Sequence, residues 1–218
     1  MKRLGALLVV GIVVGSAFAL GVMKLAGAIH GGHRGGRIEQ PSSNGQYVGS
    51  NPPGRIVAPD FQLASYRGHV VHMAAQRGKV VVLTFLDTDC HDQCPVIAAI
   101  LGHAMPSLSP ALRAQSEAMA VSVNPRVDNK KTIATFLAQR HATGALDFLV
   151  GSIPTLRHVW IEYHILPAVD TGNNDIHSAD VLIFNRRGRW VSSLNEGLDL
   201  TVSNLVHDVA AAYADERS

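Results

Sequence analysis

The stretch Gly78–Asp87, GKVVVLTFLD, is a Val-rich apolar run with no polar alternation. A strand with one wet face alternates apolar and polar side chains, whereas an unbroken run is typical of a strand buried on both faces. Such a strand belongs inside a layered sheet. Directly after it comes TDCHDQCP, Thr88 to Pro95, which holds both cysteines of the chain, Cys90 and Cys94.

The elements around that strand alternate. FQLASYRGHVVHM, Phe61–Met73, has short alternating apolar stretches about Gly68 and predicts an edge hairpin. A helix is expected from Pro95 through VIAAILGHAMPSL, with the proline in its first turn. AMAVSVNP reads as a strand, KKTIATFLAQRH as a helix, LDFLVG as a strand and IPTLRHVWIEYHI as a helix. ADVLIFN and RWVSSLNEG follow as strands, and TVSNLVHDVAAAYADE as a helix. Apolar strands alternating with helices pack as an α/β sheet. A strand, a cysteine-bearing turn and then a helix is the thioredoxin-like (peroxiredoxin-like) layout, a central sheet flanked by helices. With 218 residues and 47% hydrophobic content, one filled core is expected rather than two.

Ahead of the domain, Leu4–Met23 carries no charge, and its 20 residues span about 30 Å as a helix, one bilayer core. We read 1–28 as a single N-terminal membrane helix. Ala26-Gly27-Ala28 has the small-x-small form of a cleavage site, but a secretory apolar core is usually shorter than this one. With Lys2 and Arg3 inside, the rest of the chain is expected on the extracytoplasmic side, in the periplasm or its equivalent. Gly11 and Gly15 have helix-pairing spacing, which chance explains in so Gly-rich a segment. Residues 29–58 are rich in Gly, Pro and Ser and read as a tether, its His30 and His33 as solvated side chains. The domain is expected over 59–218. Lys and Arg are scattered along the chain and the net charge is +2, so nothing predicts nucleic-acid binding.

Three readings of Cys90 and Cys94 are open from spacing. An ordinary disulfide would stabilise little, because it closes a very short loop. A thiol-disulfide couple fits a helix N-terminus, where the dipole favours the thiolate, although three intervening residues rather than two alter the ring such a bond closes. A metal pair would take Cu(I) or Zn(II), with an imidazole as third ligand, and zinc would need a fourth. Of the eleven histidines, His91 lies between the cysteines and should point away from them. His103, His158 and His207 fall in expected helices. His177 sits in GNNDIHSADVLIF, in the turn before a strand that a thioredoxin-like sheet brings against the cysteines.

The segments APDFQL, GKVVVLTFLDTDCHDQCP, VSVNPRVDNKKTIATFL, FLVGSIPTLRHVWIEYHI and DIHSADVLIFNRRGRW resemble, in that order, the Sco/SenC family of copper-binding thioredoxin-like proteins. The likeness covers the domain from Pro59 onward, and a preceding anchor fits the family. It implies copper as the cofactor, Cys90, Cys94 and His177 as its ligands, and a copper metallochaperone role in which the partner is a cytochrome c oxidase subunit. Asn124-Pro125 stands where the family commonly has Asp-Pro, FLDTD stands where an aromatic and Thr are common, and His91 replaces a frequent Pro. The alternative is an extracytoplasmic thiol-disulfide oxidoreductase with Cys90 and Cys94 as its catalytic redox pair and His177 tuning the thiolate. A peroxidase-like role lacks the Pro- and Thr-rich setting before Cys90. Trp160 and Tyr163 are expected as helix packing, and Asp215 and Glu216 as a solvated helix end. No phosphate loop or paired-carboxylate motif is present.

Overall fold

A computed structural model describes residues 46–215, which fall within one compact unit, Pro41–Ser218. In chain order its elements are β1 (Gln62–Ser65), β2 (Val70–His72), β3 (Val80–Leu86), α1 (Gln93–Ser107), α2 (Pro110–Ala114), β4 (Ser116–Ser122), α3 (Lys130–Gln139), β5 (Asp147–Val150), α4 (Ile153–Glu162), α5 (Ala168–Thr171), β6 (Val181–Phe184), β7 (Trp190–Leu194) and α6 (Val202–Ala214). The seven strands form one sheet in the order β2-β1-β5-β4-β3-β6-β7. β3, β4 and β5 are parallel, while β1 and β6 run antiparallel to their neighbours β5 and β3.

All seven residues of β3 are buried, and its two faces feed two separate cores. Val80, Val82 and Leu86 pack with Cys94, Ile97 and Leu101 of α1, Ile133 and Leu137 of α3, and Leu205 of α6. Val81, Leu83 and Phe85 point the other way, onto Leu156 and Trp160 of α4, Tyr163 and Phe184. This two-sided burial is why the run shows no polar alternation. The hairpin about Gly68 is present, with Leu63 opposite Val71. Trp160 fills its core and donates from Nε1 to the Ser122 carbonyl at 3.0 Å, fixing α4 to the end of β4.

Two expectations change. Residues 46–58, read as the end of the tether, pack on the domain. Tyr47 is buried, the Val48 and Gly49 N–H groups donate to the buried carboxylate of Asp208, and Ser50 and Val57 pair with Ser193 and Arg189. A Cβ at Gly49 would lie 2.3 Å from Ser192 Oγ and 2.5 Å from the Ser193 carbonyl, so this glycine serves close backbone approach rather than freedom. Asp215, read as solvated, is buried and accepts the Tyr47 hydroxyl at 2.9 Å. The expected anchor Leu4–Met23, the helix-pairing glycines, His30, His33 and Glu216 lie outside the described residues. Among the described residues no helix is long and apolar enough to cross a membrane.

Candidate metal centre

Where β3 ends, a set of buried polar groups folds the chain back toward α1. Asp87 is fully buried; its Oδ1 accepts the Asp89 N–H at 2.8 Å and its Oδ2 the Asn124 amide at 2.9 Å. Thr88 donates its N–H and its hydroxyl to Asp128 Oδ1, at 2.9 and 2.7 Å, while Asp128 Oδ2 takes the Ser122 hydroxyl. These bonds tie the cysteine turn to the ends of β3 and β4. No side chain caps α1. Instead the backbone N–H groups of Cys94 and Asp92 reach the Cys90 sulfur, so a sulfur occupies the anion-favouring end of the helix.

Both thiols are free, and both are buried. Cys94 Sγ lies 3.2 Å from His177 Nε2 and accepts the Asp87 N–H at 3.4 Å. The ligand atoms of Cys90, Cys94 and His177 all lie within 4.8 Å of one another. A metal held at about 2.0–2.3 Å from thiolate and imidazole in a trigonal arrangement separates its ligands by about 4 Å, so the triangle has the right size. His177 Nδ1 is 2.9 Å from the Ser178 carbonyl oxygen, which only accepts, so Nδ1 carries a hydrogen. Nε2 then presents to the sulfurs either its lone pair or, in the imidazolium, a second N–H.

The His177 loop is latched to the cysteine turn by two residues that sequence reasoning missed. Asn174 accepts the second amide hydrogen of Asn124 at 3.0 Å and donates to Asp89 at 2.7 Å; Asp175 accepts the His91 N–H at 2.7 Å. The polar run GNND before His177 was the available signal. Asn124 spends both amide hydrogens on Asp87 and Asn174, so its nitrogen is no ligand. His91 is exposed and outside the cluster, as expected from its place at i+1. His103 and His158 are exposed, and His207 bonds Asp208 at 2.9 Å.

The site's charges are coupled. The hydrogen bond from the Cys94 thiol, opposed by burial and supported by His177, brings Cys90 down to about 4. Cys94, donating to Cys90 and deeply buried, is pushed far up. The pair thus shares one proton and presents one thiolate. Burial lowers the His177 imidazole, yet its bond to Cys90 and the Ser178 carbonyl raise it overall. Burial raises Asp87 against its bonds to Asp89 and Asn124. Beside Cys90 a cavity of about 450 Å³ opens between the turn and α3, bordered by Thr88, His91, Lys131, Phe136 and Arg140.

A thiolate, a second thiol and an imidazole at the end of a buried strand can bind a soft ion or exchange a disulfide. Among the described residues no fourth Cys, His, Asp or Glu joins the group, which suits a three-coordinate soft ion better than zinc. The chain is similar to apo Sco1 from Thermus thermophilus (TM-score 0.62, 22% identity, covering 76% of this chain and 96% of that one). It is also similar to Bradyrhizobium japonicum ScoI with copper bound (0.57, 25%, 71% and 98%) and to Arabidopsis thaliana ScoI with copper bound (0.58, 21%, 72% and 98%). No curated protein matches the chain. A family model described as SCO1/SenC matches residues 50–213, the span that holds both cysteines, His177 and the whole sheet, and on that match the chain belongs to the SCO1/SenC family.

Proposed function

We propose that the protein is a copper metallochaperone that holds Cu(I) between Cys90 Sγ, Cys94 Sγ and His177 Nε2 and passes it to the copper site of cytochrome c oxidase. The observation that carries this reading is the three-ligand triangle, with two soft sulfurs and one imidazole within 4.8 Å and an orienting carbonyl behind the imidazole. The copper-bound relative at 25% identity supports it. Loading Cu(I) releases the proton that Cys94 holds, and the depressed Cys90 thiolate is ready without any loss. The cavity beside Cys90 offers an incoming thiol-bearing segment a route to the sulfur, so copper leaves by stepwise ligand exchange. In this reading Leu4–Met23 anchors the chain and the domain works on the extracytoplasmic side. The test is transfer from the loaded domain to the copper-binding domain of the oxidase subunit: one equivalent moves if the reading holds, and none moves if it fails.

A second reading rests on the asymmetry of the two thiols. A thiolate at Cys90, bordering the cavity, backed by a protonated thiol at Cys94 is the arrangement of an attacking and a resolving cysteine. The domain would then reduce a disulfide on its partner: Cys90 forms the mixed disulfide, and Cys94 displaces the partner's second thiol while the Cys90–Cys94 bond forms. Removing His177 separates the two, since copper capture needs its nitrogen and exchange does not.

A further inference from the structure

Arginines scattered in sequence are gathered by the fold at the end of the sheet away from Cys90. β6 is antiparallel to β3, with Phe184 opposite Val81, so the turn that follows it lies beside the start of β3. That turn carries Arg186, Arg187 and Arg189. The chain entering β3 adds Arg77, whose Nη1 donates to the Arg187 carbonyl at 2.7 Å, while the next residue, Gly78, donates to the Arg186 carbonyl at 2.8 Å. The segment before β1 adds Arg55, because Val57 pairs with Arg189 and Ala58 donates to the Gly188 carbonyl. Arg55, Arg77 and Arg187 are exposed, and the exposed apolar side chain of Val57 lies among them.

The acidic groups toward this end have partners within the protein, although Asp60 and Glu117 stay at the surface. Glu117 pairs with Lys79 at 3.2 Å, Asp60 accepts the Ala74 N–H at 2.7 Å, and Asp215 accepts the Tyr47 hydroxyl. Among the described residues Arg55, Arg77, Arg187 and Arg189 form no ion pair. At the other end of β3, about 20 Å away along its seven residues, charges of both signs border the cysteine turn: Asp89, Asp92 and Asp175 stand against Lys130, Lys131 and Arg140, while Asp87 and Asp128 are buried. Exposed arginines without ion pairs are therefore concentrated at one end of the sheet, and charge is mixed at the other.

We infer that the arginine end docks on anionic phospholipid headgroups of the membrane to which the chain is tethered, turning the metal end away from the bilayer. The inference rests on reading Leu4–Met23 as the anchor. Residues 24–45 reach at most about 75 Å, so a domain on that leash stays near the lipid, where unpaired guanidinium groups meet phosphates as bidentate donors. With the arginine end on the lipid, the cysteine turn at the opposite end of β3 faces away from the bilayer, toward the recipient.

The test uses residues 41–218, the compact unit without the apolar run, floated with vesicles of phosphatidylglycerol and phosphatidylcholine (30:70) or of phosphatidylcholine alone. Expected is recovery on the anionic vesicles at low salt that fades at high salt, with none on the neutral ones. Neutralising one arginine should lower partitioning about fivefold, and Arg55→Glu with Arg187→Glu at least about tenfold. Both sites are exposed, and Cu(I) binding by the double variant should match the parent, which separates failure of this idea from failure of the metal reading. Equal recovery on both vesicles, or an unaffected double variant, overturns the proposal. So does displacement by a few millimolar inorganic phosphate at constant ionic strength, which marks a phosphate site, or preference for a DNA duplex over the vesicles.

Discussion

The amide of Asn124 donates to the carboxylate of Asp87 across 2.9 Å, both groups buried at the ends of adjacent parallel strands. Its other hydrogen holds Asn174, and through Asn174 the His177 loop reaches Asp89. A carboxylate at 124 supplies neither hydrogen and faces Asp87 with like charge. Asn124→Asp should destabilise the domain by about 1–3 kcal/mol, read as a lower urea midpoint, and weaken Cu(I) binding several-fold as the loop loosens. An unchanged midpoint and affinity would show that the latch is dispensable.

Alkylation should single out Cys90. With its thiol at about 4, Cys90 is thiolate across the neutral range, so its rate with iodoacetamide should be flat from roughly pH 5 to 8 and fall only as pH drops through about 4. Cys94, protonated and outside the cavity that borders Cys90, should stay unmodified. Cys94→Ala removes the donor that stabilises the thiolate and should move the rate profile up toward ordinary cysteine, whereas Cys94→Ser keeps an O–H donor and should move it less.

Asp128 gives the stability a pH dependence of definite sign. Burial pushes its carboxyl up to about 6, against hydrogen bonds from Ser122 and Thr88 that favour ionisation. Between roughly pH 4 and 6 the folded protein keeps a proton that the unfolded chain has released, so stability falls as pH rises through that window and levels off above it. The swing is about 3 kcal/mol at most. Asp128→Asn keeps an acceptor for Thr88 and should shrink the slope, measured by urea denaturation at pH 4, 5, 6 and 7. Asp87 and Asp180, also raised by burial, leave part of it.

The segment before β1 is part of the fold. Asp208 accepts the Val48 and Gly49 N–H groups and the Ser192 hydroxyl, the last at 2.6 Å. Asp208→Ala leaves these donors buried without an acceptor and should cost about 3 kcal/mol. A chain beginning at residue 59 also loses Tyr47 from the core and should melt lower than one beginning at 41. Equal melting temperatures would return 46–58 to a tether.

β3 and the cysteine turn were legible because burial on both faces erases alternation, a signal that one strand carries alone. The helices after Cys94, Asn129 and Ser152 were legible too, as runs rich in apolar residues, the first of them opened by Pro95. Strand order was not, since pairing β5 between β1 and β4 depends on contacts far apart in sequence. Gly49 misled because composition does not distinguish a glycine that frees the chain from one that lets two backbones touch. Cys90, Cys94 and His177 were picked out as donors by residue type and by resemblance. Asn174 and Asp175 were passed over because their roles consist of hydrogen bonds to residues 50 to 85 positions away.

The most direct test is an anaerobic Cu(I) titration of the reduced domain, residues 41–218, against a competing chelator, with His177→Ala beside it. The account predicts one tightly bound copper per chain, and more than about a hundredfold weaker binding in the variant, because a ligand is lost rather than one of its supports. Equal affinity in the two proteins, or no copper retained by the parent, would contradict it.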